Sequence, residues 1–277
     1  MGLNEIVAGT ASPATRSSLC ADLRGLSIAQ GDLLLVHSSL SAMGWITGGA
    51  VTVLQALLEV LGETGTLVMP THTPDGGDPA HWRHPPVPDH WHQIIRENRP
   101  VFEVSKTPSR AMGVLPELFR TWPGVLRSDH PIGSFAASGP LAETIVEGHD
   151  LAEMLGERSP LGALYQHHAR VLLLGVDHGS NTSLHLAEFR ADWPGKPFIT
   201  EGSRVTRQGR SEWVSYEMVR WDDDDFVRLG AAYEAACLPT VGQVGCATSR
   251  LLEQRSMVDF ATEWLSSHRG RDEVVEG

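Results

Sequence analysis

The residues most suited to acid–base chemistry are His185 and Glu188, three positions apart in Ser183-Leu184-His185-Leu186-Ala187-Glu188. The segment from Leu174 to Glu188 leaves an apolar run, turns on Gly175, Gly179 and Asn181, and enters a helix capped somewhere in Ser180 to Ser183. His185 then falls in the first helical turn. The positive end of the helix dipole disfavours imidazolium there, so the ring stays neutral and can accept a proton. Glu188 shares its face of the helix and can orient the ring. A neutral imidazole held by a carboxylate is what a general base requires. The same spacing also fits a His/Glu pair on an ordinary helix face.

Three further groups carry chemical potential. Val36-His37-Ser38-Ser39-Leu40-Ser41 follows an apolar run, with Gly48-Gly49 ahead of the next helix. Hydroxyls and N–H groups placed there could hold a carbonyl or phosphate oxygen, or form a plain capped turn. His72, His81, His84, His90 and His92 crowd a Pro-rich stretch, but no Cys or carboxylate completes a zinc spacing, so no metal is expected. Trp221-Asp222-Asp223-Asp224-Asp225-Phe226 suits an exposed helix start, or a subsite for a polyamine or aminosugar whose ammonium groups pair with carboxylates. Neither GxxxxGK[ST], GxGxxG nor GxSxG occurs, which argues against nucleotide hydrolases, dinucleotide oxidoreductases and common serine hydrolases.

The elements that must position these residues show as short apolar runs alternating with helical patterns. Leu33–Val36, Thr66–Met69 and Val171–Leu174 read as strands buried on both faces of a parallel sheet. Between the first two, Leu54, Leu57, Leu58 and Leu61 recur at helical spacing and stop at Gly62. This order predicts an α/β fold, three-layer α/β/α with a mostly parallel central sheet. Ser203–Thr206 and Trp213–Tyr216 flank Gln208-Gly209 and predict a β-hairpin within about residues 198–219. Leu251, Val258, Ala261 and Leu265 mark a closing helix, with a polar tail expected to fray after Ser266. Residues from about 71 to 100 form a long Pro/His-rich insertion without periodicity, the mark of a functional excursion. With no repeat and no linker, residues 1–277 read as a single domain.

The charge balance is 22 basic against 34 acidic residues, a formal net charge of −12. Such a surface repels nucleic acid and favours a cationic ligand. No apolar run is long enough for a membrane span, and residues 1–16 lack the pattern of a secretory signal. Cys20, Cys237 and Cys246 are odd in number and unpatterned, consistent with free thiols and a cytoplasmic location. The sequon Asn181-Thr182-Ser183 is then incidental.

Several blocks, in order, resemble the aminoglycoside 3-N-acetyltransferase family. They are Asp32 to Gly44 with Gly48-Gly49, Gly65 to Pro70, Thr107 to Gly113, Arg127 to Pro131 with Ser134, Asn181 to Glu188, and Val241-Gly242 onward. The likeness runs from about Arg24 to Leu265. It implies an α/β fold distinct from the commoner N-acetyltransferase fold. It also implies acetyl-CoA as donor, and direct acetylation of the 3-amino group of an aminoglycoside's deoxystreptamine ring.

On this resemblance His185 is the base, Glu188 its support, and Asp223 or a neighbour the residue that orients the amine. His37, Ser38, Ser39, Ser109, Arg110, Met112, Gly113, Ser134 and Phe135 would hold the donor. Asp75, Asn181, Asp222 and Asp224 would meet the acceptor, whose pocket the insertion would shape. Lys106 and Arg110 could offset the donor's phosphates. The alternative within enzymes is an acyl-CoA-dependent N-acyltransferase of another amine in secondary metabolism; outside them, a silent binder of cations. A homodimer is compatible with the sequence.

Overall fold

The computed structural model describes residues 2 to 270. Among them the strands are β1 (Leu33–Ser38), β2 (Thr66–Pro70), β3 (Leu126–Arg127), β4 (Phe135–Ser138), β5 (Arg170–Leu174), β6 (Phe198–Arg207), β7 (Arg210–Val219), β8 (Thr240–Val244) and β9 (Ala247–Glu253). Seven build one sheet in the order β3-β4-β2-β1-β5-β9-β8. The three apolar runs read from the sequence lie side by side at its centre and run parallel, with Leu34 opposite Leu67 and Leu35 opposite Val171. The flanking pairs are antiparallel: β2 with β4, β3 with β4, β5 with β9 and β8 with β9.

Alternation along the central strands explains their unbroken apolar character. Leu33, Leu35, Val68, Val171 and Leu173 join one core cluster, and Leu34, Val36, Leu67, Leu172 and Leu174 the other. Helices α2 (Arg16–Gly25), α3 (Gly49–Leu61) and α5 (Val114–Arg120) cover the second face with Leu23, Leu54, Leu57 and Phe119. The first face is covered by α6 (Ala142–Val146), α7 (Pro160–Gln166), α8 (Ser183–Arg190), α9 (Phe226–Cys237) and α10 (Gln254–His268). Leu35 and Leu173 are fully buried, each such side chain stabilising the fold by about 2 kcal/mol relative to exposure. The architecture is the expected α/β/α sandwich. Helices α1 (Leu3–Ala8) and α4 (His92–Asn98) lie outside these clusters.

Strands β6 and β7 form a separate two-stranded sheet. Gln208 and Gly209 at its turn have φ of 50° and 74°, the pair of positive values that a two-residue hairpin matched to strand twist requires. Helix α3 stops at Gly62, φ 63°, as its pattern predicts.

Three sequence expectations are corrected. Leu251 belongs to β9, opposite Leu172, because the helical pattern begins only at Gln254. The chain after Ser266 does not fray at once: α10 continues to His268, and Arg269 reaches back into the protein. The tail beyond Gly270 lies outside the described residues. The insertion, read as structureless, contains three short 3-10 turns and α4. It is tied to the hairpin through Glu201, which accepts from the Asp78 N–H at 2.6 Å and meets His81 Nδ1 at 3.2 Å.

Candidate active site

The carboxyl ends of β1, β2 and β5 open on the same side of the sheet, where ligands of open α/β folds bind. A cavity of about 350 Å³ lies there. His37 and Ser38 at the end of β1, Pro70 and His72 at the end of β2, and Thr182 and His185 after β5 form its walls, closed by Met112, Trp221 and Asp223.

His185 stands in the first turn of α8 and is buried. Its Nδ1 lies 2.8 Å from Glu188 Oε2. The carboxylate accepts, so Nδ1 carries the hydrogen and Nε2 the lone pair. Among the described residues Nε2 has no hydrogen-bond partner, and the ring borders the cavity. Phe226 and Trp221 pack against the ring at 4.7 and 5.8 Å between centroids. The N-cap of α8 is Thr182, within the expected Ser180 to Ser183, but its side chain makes no capping bond; the Ser183 N–H donates to Asn181 Oδ1 at 3.3 Å.

Glu188 is fully buried, yet both its oxygens are used. Oε1 accepts from the Asp222 N–H at 2.8 Å and from Arg269 Nη1. The Arg269 guanidinium also grips Asp225, Nε to Oδ2 at 2.9 Å and Nη2 to Oδ1 at 2.7 Å, and donates to the Asp222 carbonyl at 2.7 Å. Burial works against the guanidinium's charge, but the hydrogen bonds to Asp225 and the charge of Glu188 outweigh it and raise the group's pKa. Its guanidinium carbon lies 5.2 Å from the centre of the Trp193 ring.

Two other histidines, His37 and His72, line the cavity. Burial, and then proximity to His185, pushes the His37 pKa down to about 3; its Nε2 lies 3.3 Å from Thr182 Oγ1. Burial, and then the neighbouring His185 and His37, does the same to His72, again to about 3. His72 packs edge-on to Phe135 at 5.1 Å, and its buried Nε2 has no partner among the described residues. Behind them the rings of His130 and His149 lie 4.4 Å apart, tilted at 32° to each other.

The remaining predicted residues divide by location. Ser109, Met112 and Gly113 line a second cleft of about 520 Å³, which meets the cavity at Ala111 and Met112. Ser109 is held by Glu117, which accepts from its N–H at 2.8 Å and its hydroxyl at 2.7 Å. Burial opposes the charge of Glu117, but the bonds from Arg120 and Ser109 win and lower its pKa to about 2. Ser39 faces a neighbouring cleft with Gly175, Asp177 and Cys246.

Ser134 and Phe135 are fully buried beneath the cavity, and the Ser134 hydroxyl bonds the Thr71 carbonyl at 2.9 Å. Asn181 reaches the cavity wall while its amide bonds Met257 Sδ at 3.0 Å. Asp75 and Arg110, assigned to different ligands by the sequence, meet each other at 2.7 Å, with Arg99 at 3.5 Å. Lys106 is exposed and pairs with Glu103.

Within the acidic run Asp223 reaches the cavity, whereas Asp222, Asp224 and Asp225 line an outer groove beside Arg269 and Arg228. The insertion's histidines do not gather: His72 is at the cavity, His81 on Glu201, and His92 near Asp89 at 3.9 Å. Arg269 is the residue the sequence reading missed. No periodicity or motif announces a side chain that acts across 81 positions.

A profile of the family described as aminoglycoside 3-N-acetyltransferase matches residues 35–266, and so ends before Arg269. The chain is 42% identical to the Bacillus subtilis SPbeta prophage-derived aminoglycoside N(3')-acetyltransferase-like protein YokD, covering 98% of this chain and 99% of that one. The crystal structure of YokD superposes with a TM-score of 0.93 over 97% of this chain and 99% of its own. A structure of AAC-IIIb as a binary complex with CoASH is 32% identical, TM-score 0.82, covering 92% and 97% of the two chains. AAC-VIa bound to sisomicin is 30% identical, TM-score 0.83, covering 92% and 98%.

Proposed function

Because the chain belongs to the aminoglycoside 3-N-acetyltransferase family, we propose that it transfers the acetyl group of acetyl-CoA directly to the 3-amino group of an aminoglycoside, with His185 as general base. The observation that carries this reading is the His185 Nδ1–Glu188 Oε2 bond of 2.8 Å, which leaves Nε2 free at the cavity.

An aminoglycoside's amines are largely ammonium at neutral pH and cannot attack a thioester in that form. His185 Nε2 takes the proton, the amine nitrogen bonds to the acetyl carbonyl carbon, and the carbon–sulfur bond then breaks. CoA leaves as thiolate and receives a proton to give the free thiol. Glu188 holds the ring in the accepting tautomer and offsets the imidazolium charge. The Ser38 hydroxyl lies on the same wall and has no protein partner among the described residues, so it suits the oxygen on which charge develops.

The donor's slender arm would run through the cleft at Ser109, Met112 and Gly113, which opens into the cavity. Asp223 meets the cationic acceptor, and the net charge of −12 favours its approach. A cytoplasmic location follows from acetyl-CoA as donor, and no helix among the described residues is long and apolar enough to cross a membrane.

The test is steady-state release of CoA thiol with a panel of aminoglycosides and simple diamines, and identification of the acetylated nitrogen. His185→Ala should lose turnover by about a thousandfold while keeping donor affinity. Retained turnover removes His185 from its role. An acetylated protein recovered after incubation with acetyl-CoA alone overturns direct transfer.

A further inference from the structure

Arg269 sits where the two halves of the cavity's charged machinery meet. One edge of its guanidinium donates to Glu188, the residue behind His185. Its other donors hold Asp225 through both carboxylate oxygens and the backbone carbonyl of Asp222. The same Asp222 supplies its N–H to Glu188 at 2.8 Å. Trp221 and Asp223, the neighbours of Asp222 in the chain, are the two residues this segment places at the cavity.

We propose that Arg269 is a positioning residue that couples acceptor binding to the base, fixing Glu188 behind His185 and fixing the segment that carries Trp221 and Asp223 against the acceptor. The proposal rests on the His185–Glu188 reading above. A planar guanidinium serves here because it offers several donors in one rigid fork, matching a carboxylate at one side and a carbonyl at another; an ammonium cannot satisfy that geometry at once.

The surroundings hold the fork still. The Arg269 N–H bonds the Leu265 carbonyl at 3.0 Å, closing α10. Trp193 faces the guanidinium. The next residue, Gly270, has φ of 74° and lies so close to the Pro194 carbonyl that an added Cβ would sit 2.4 Å from the oxygen. The chain can turn there only as glycine.

The experiment compares Arg269→Met, Arg269→Lys and Asp225→Asn with the unaltered full chain, measuring kcat, both KM values and thermal midpoints. Arg269→Met should lower kcat by about tenfold or more and raise the acceptor KM several-fold, since a displacement of an ångström at a catalytic pair costs up to about a hundredfold. The acetyl-CoA KM should stay within about twofold, because the donor cleft is remote from the fork. Arg269→Lys should recover part of kcat, and Asp225→Asn, which opens the clamp from its other side, should show the same split.

Unchanged kcat and acceptor KM in Arg269→Met overturn the proposal. So does a rise of both KM values together with a lower thermal midpoint, the mark of general loosening. If Arg269→Met does not fold, the split in Asp225→Asn decides. His185→Ala separates the two claims: turnover retained there breaks the underlying reading, whereas turnover lost there with Arg269→Met unchanged breaks only this one.

Discussion

Glu188 and Arg269 form an ion pair in which the carboxylate is wholly buried and the guanidinium nearly so. A carboxylate taken out of water is costly unless its lone pairs are filled, and here His185, Asp222 and Arg269 fill them. Glu188→Gln keeps the shape but loses the charge, and its amide N–H groups face donors. The variant should lose about a hundredfold in kcat and about 3 kcal/mol of stability, because the Arg269 fork keeps only Asp225 as an anionic partner and a buried amide N–H is turned toward donors. Turnover kinetics and urea unfolding read the two effects; a fully active variant would refute the orienting role of Glu188.

Asp223 reaches the cavity while Asp222, Asp224 and Asp225 line the outer groove. Asp223→Asn should therefore raise the acceptor KM by about tenfold, the size of one lost charge-assisted contact, and leave the acetyl-CoA KM alone. The same substitution at Asp224 should act weakly and vanish with added salt, since an exposed charge is screened over about 10 Å at 0.1 M. Equal effects at both positions would show that the run acts only as a general field.

The buried histidines predict an early loss of stability in acid. Burial holds His37 and His72 down to about 3 and His149 to about 4, and holds His130 well below its ordinary range. Unfolded, each titrates near 6.5. The unfolded chain thus binds more protons below that value, so the contribution is whole above about pH 6.5 and is lost as pH falls toward 4, at up to about 1.4 kcal/mol per pH unit per histidine. Urea midpoints should decline between pH 7 and pH 5, before most carboxylates protonate. A flat profile over that range would contradict neutral histidines in the folded state.

Gly230 on α9 faces the turn that carries His178, and a Cβ there would lie 2.0 Å from His178 Cγ. Gly230→Ala must push α9 away from the His178–Ser180 turn, breaking the contact of His178 Nε2 with Glu234 at 3.1 Å. Overpacking of this kind should cost about 2–3 kcal/mol. Because Gly179 and Ser180 border the cavity, activity should fall with stability. A thermal midpoint within a degree of the parent would mean the helix yields without strain.

Features with a local cause were legible in the chain. The central strands show as apolar runs because both their faces are covered. The Gln208-Gly209 hairpin shows because its turn needs positive φ, and the His185–Glu188 pair shows because three residues is a helical step. What stayed hidden depends on residues distant in sequence. Leu251 matched a helical period yet pairs across the sheet with Leu172.

Arg127, conspicuous in its motif, proves to be a buried hub that donates to Thr71 O at 2.7 Å and Ser134 Oγ at 3.0 Å and also bonds Thr107 O, joining residues beneath the cavity to the segment that precedes Ser109. Asp75 and Arg110, which the family resemblance assigned to opposite ligands, bear opposite charges and pair with each other. Arg269 lay in what read as a polar tail. Ion pairs between residues distant in sequence have no period, so only the folded chain reveals them.

Glu201 joins the insertion to the β6–β7 hairpin, and neither contributes a strand to the seven-stranded sheet. These two excursions therefore brace each other outside the sheet. The hairpin also leads into the site: β7 ends at Val219, Trp221 follows at the cavity, and the Asp222 N–H bonds Glu188. The insertion is thereby linked mechanically, through Glu201 and the hairpin, to the carboxylate behind His185.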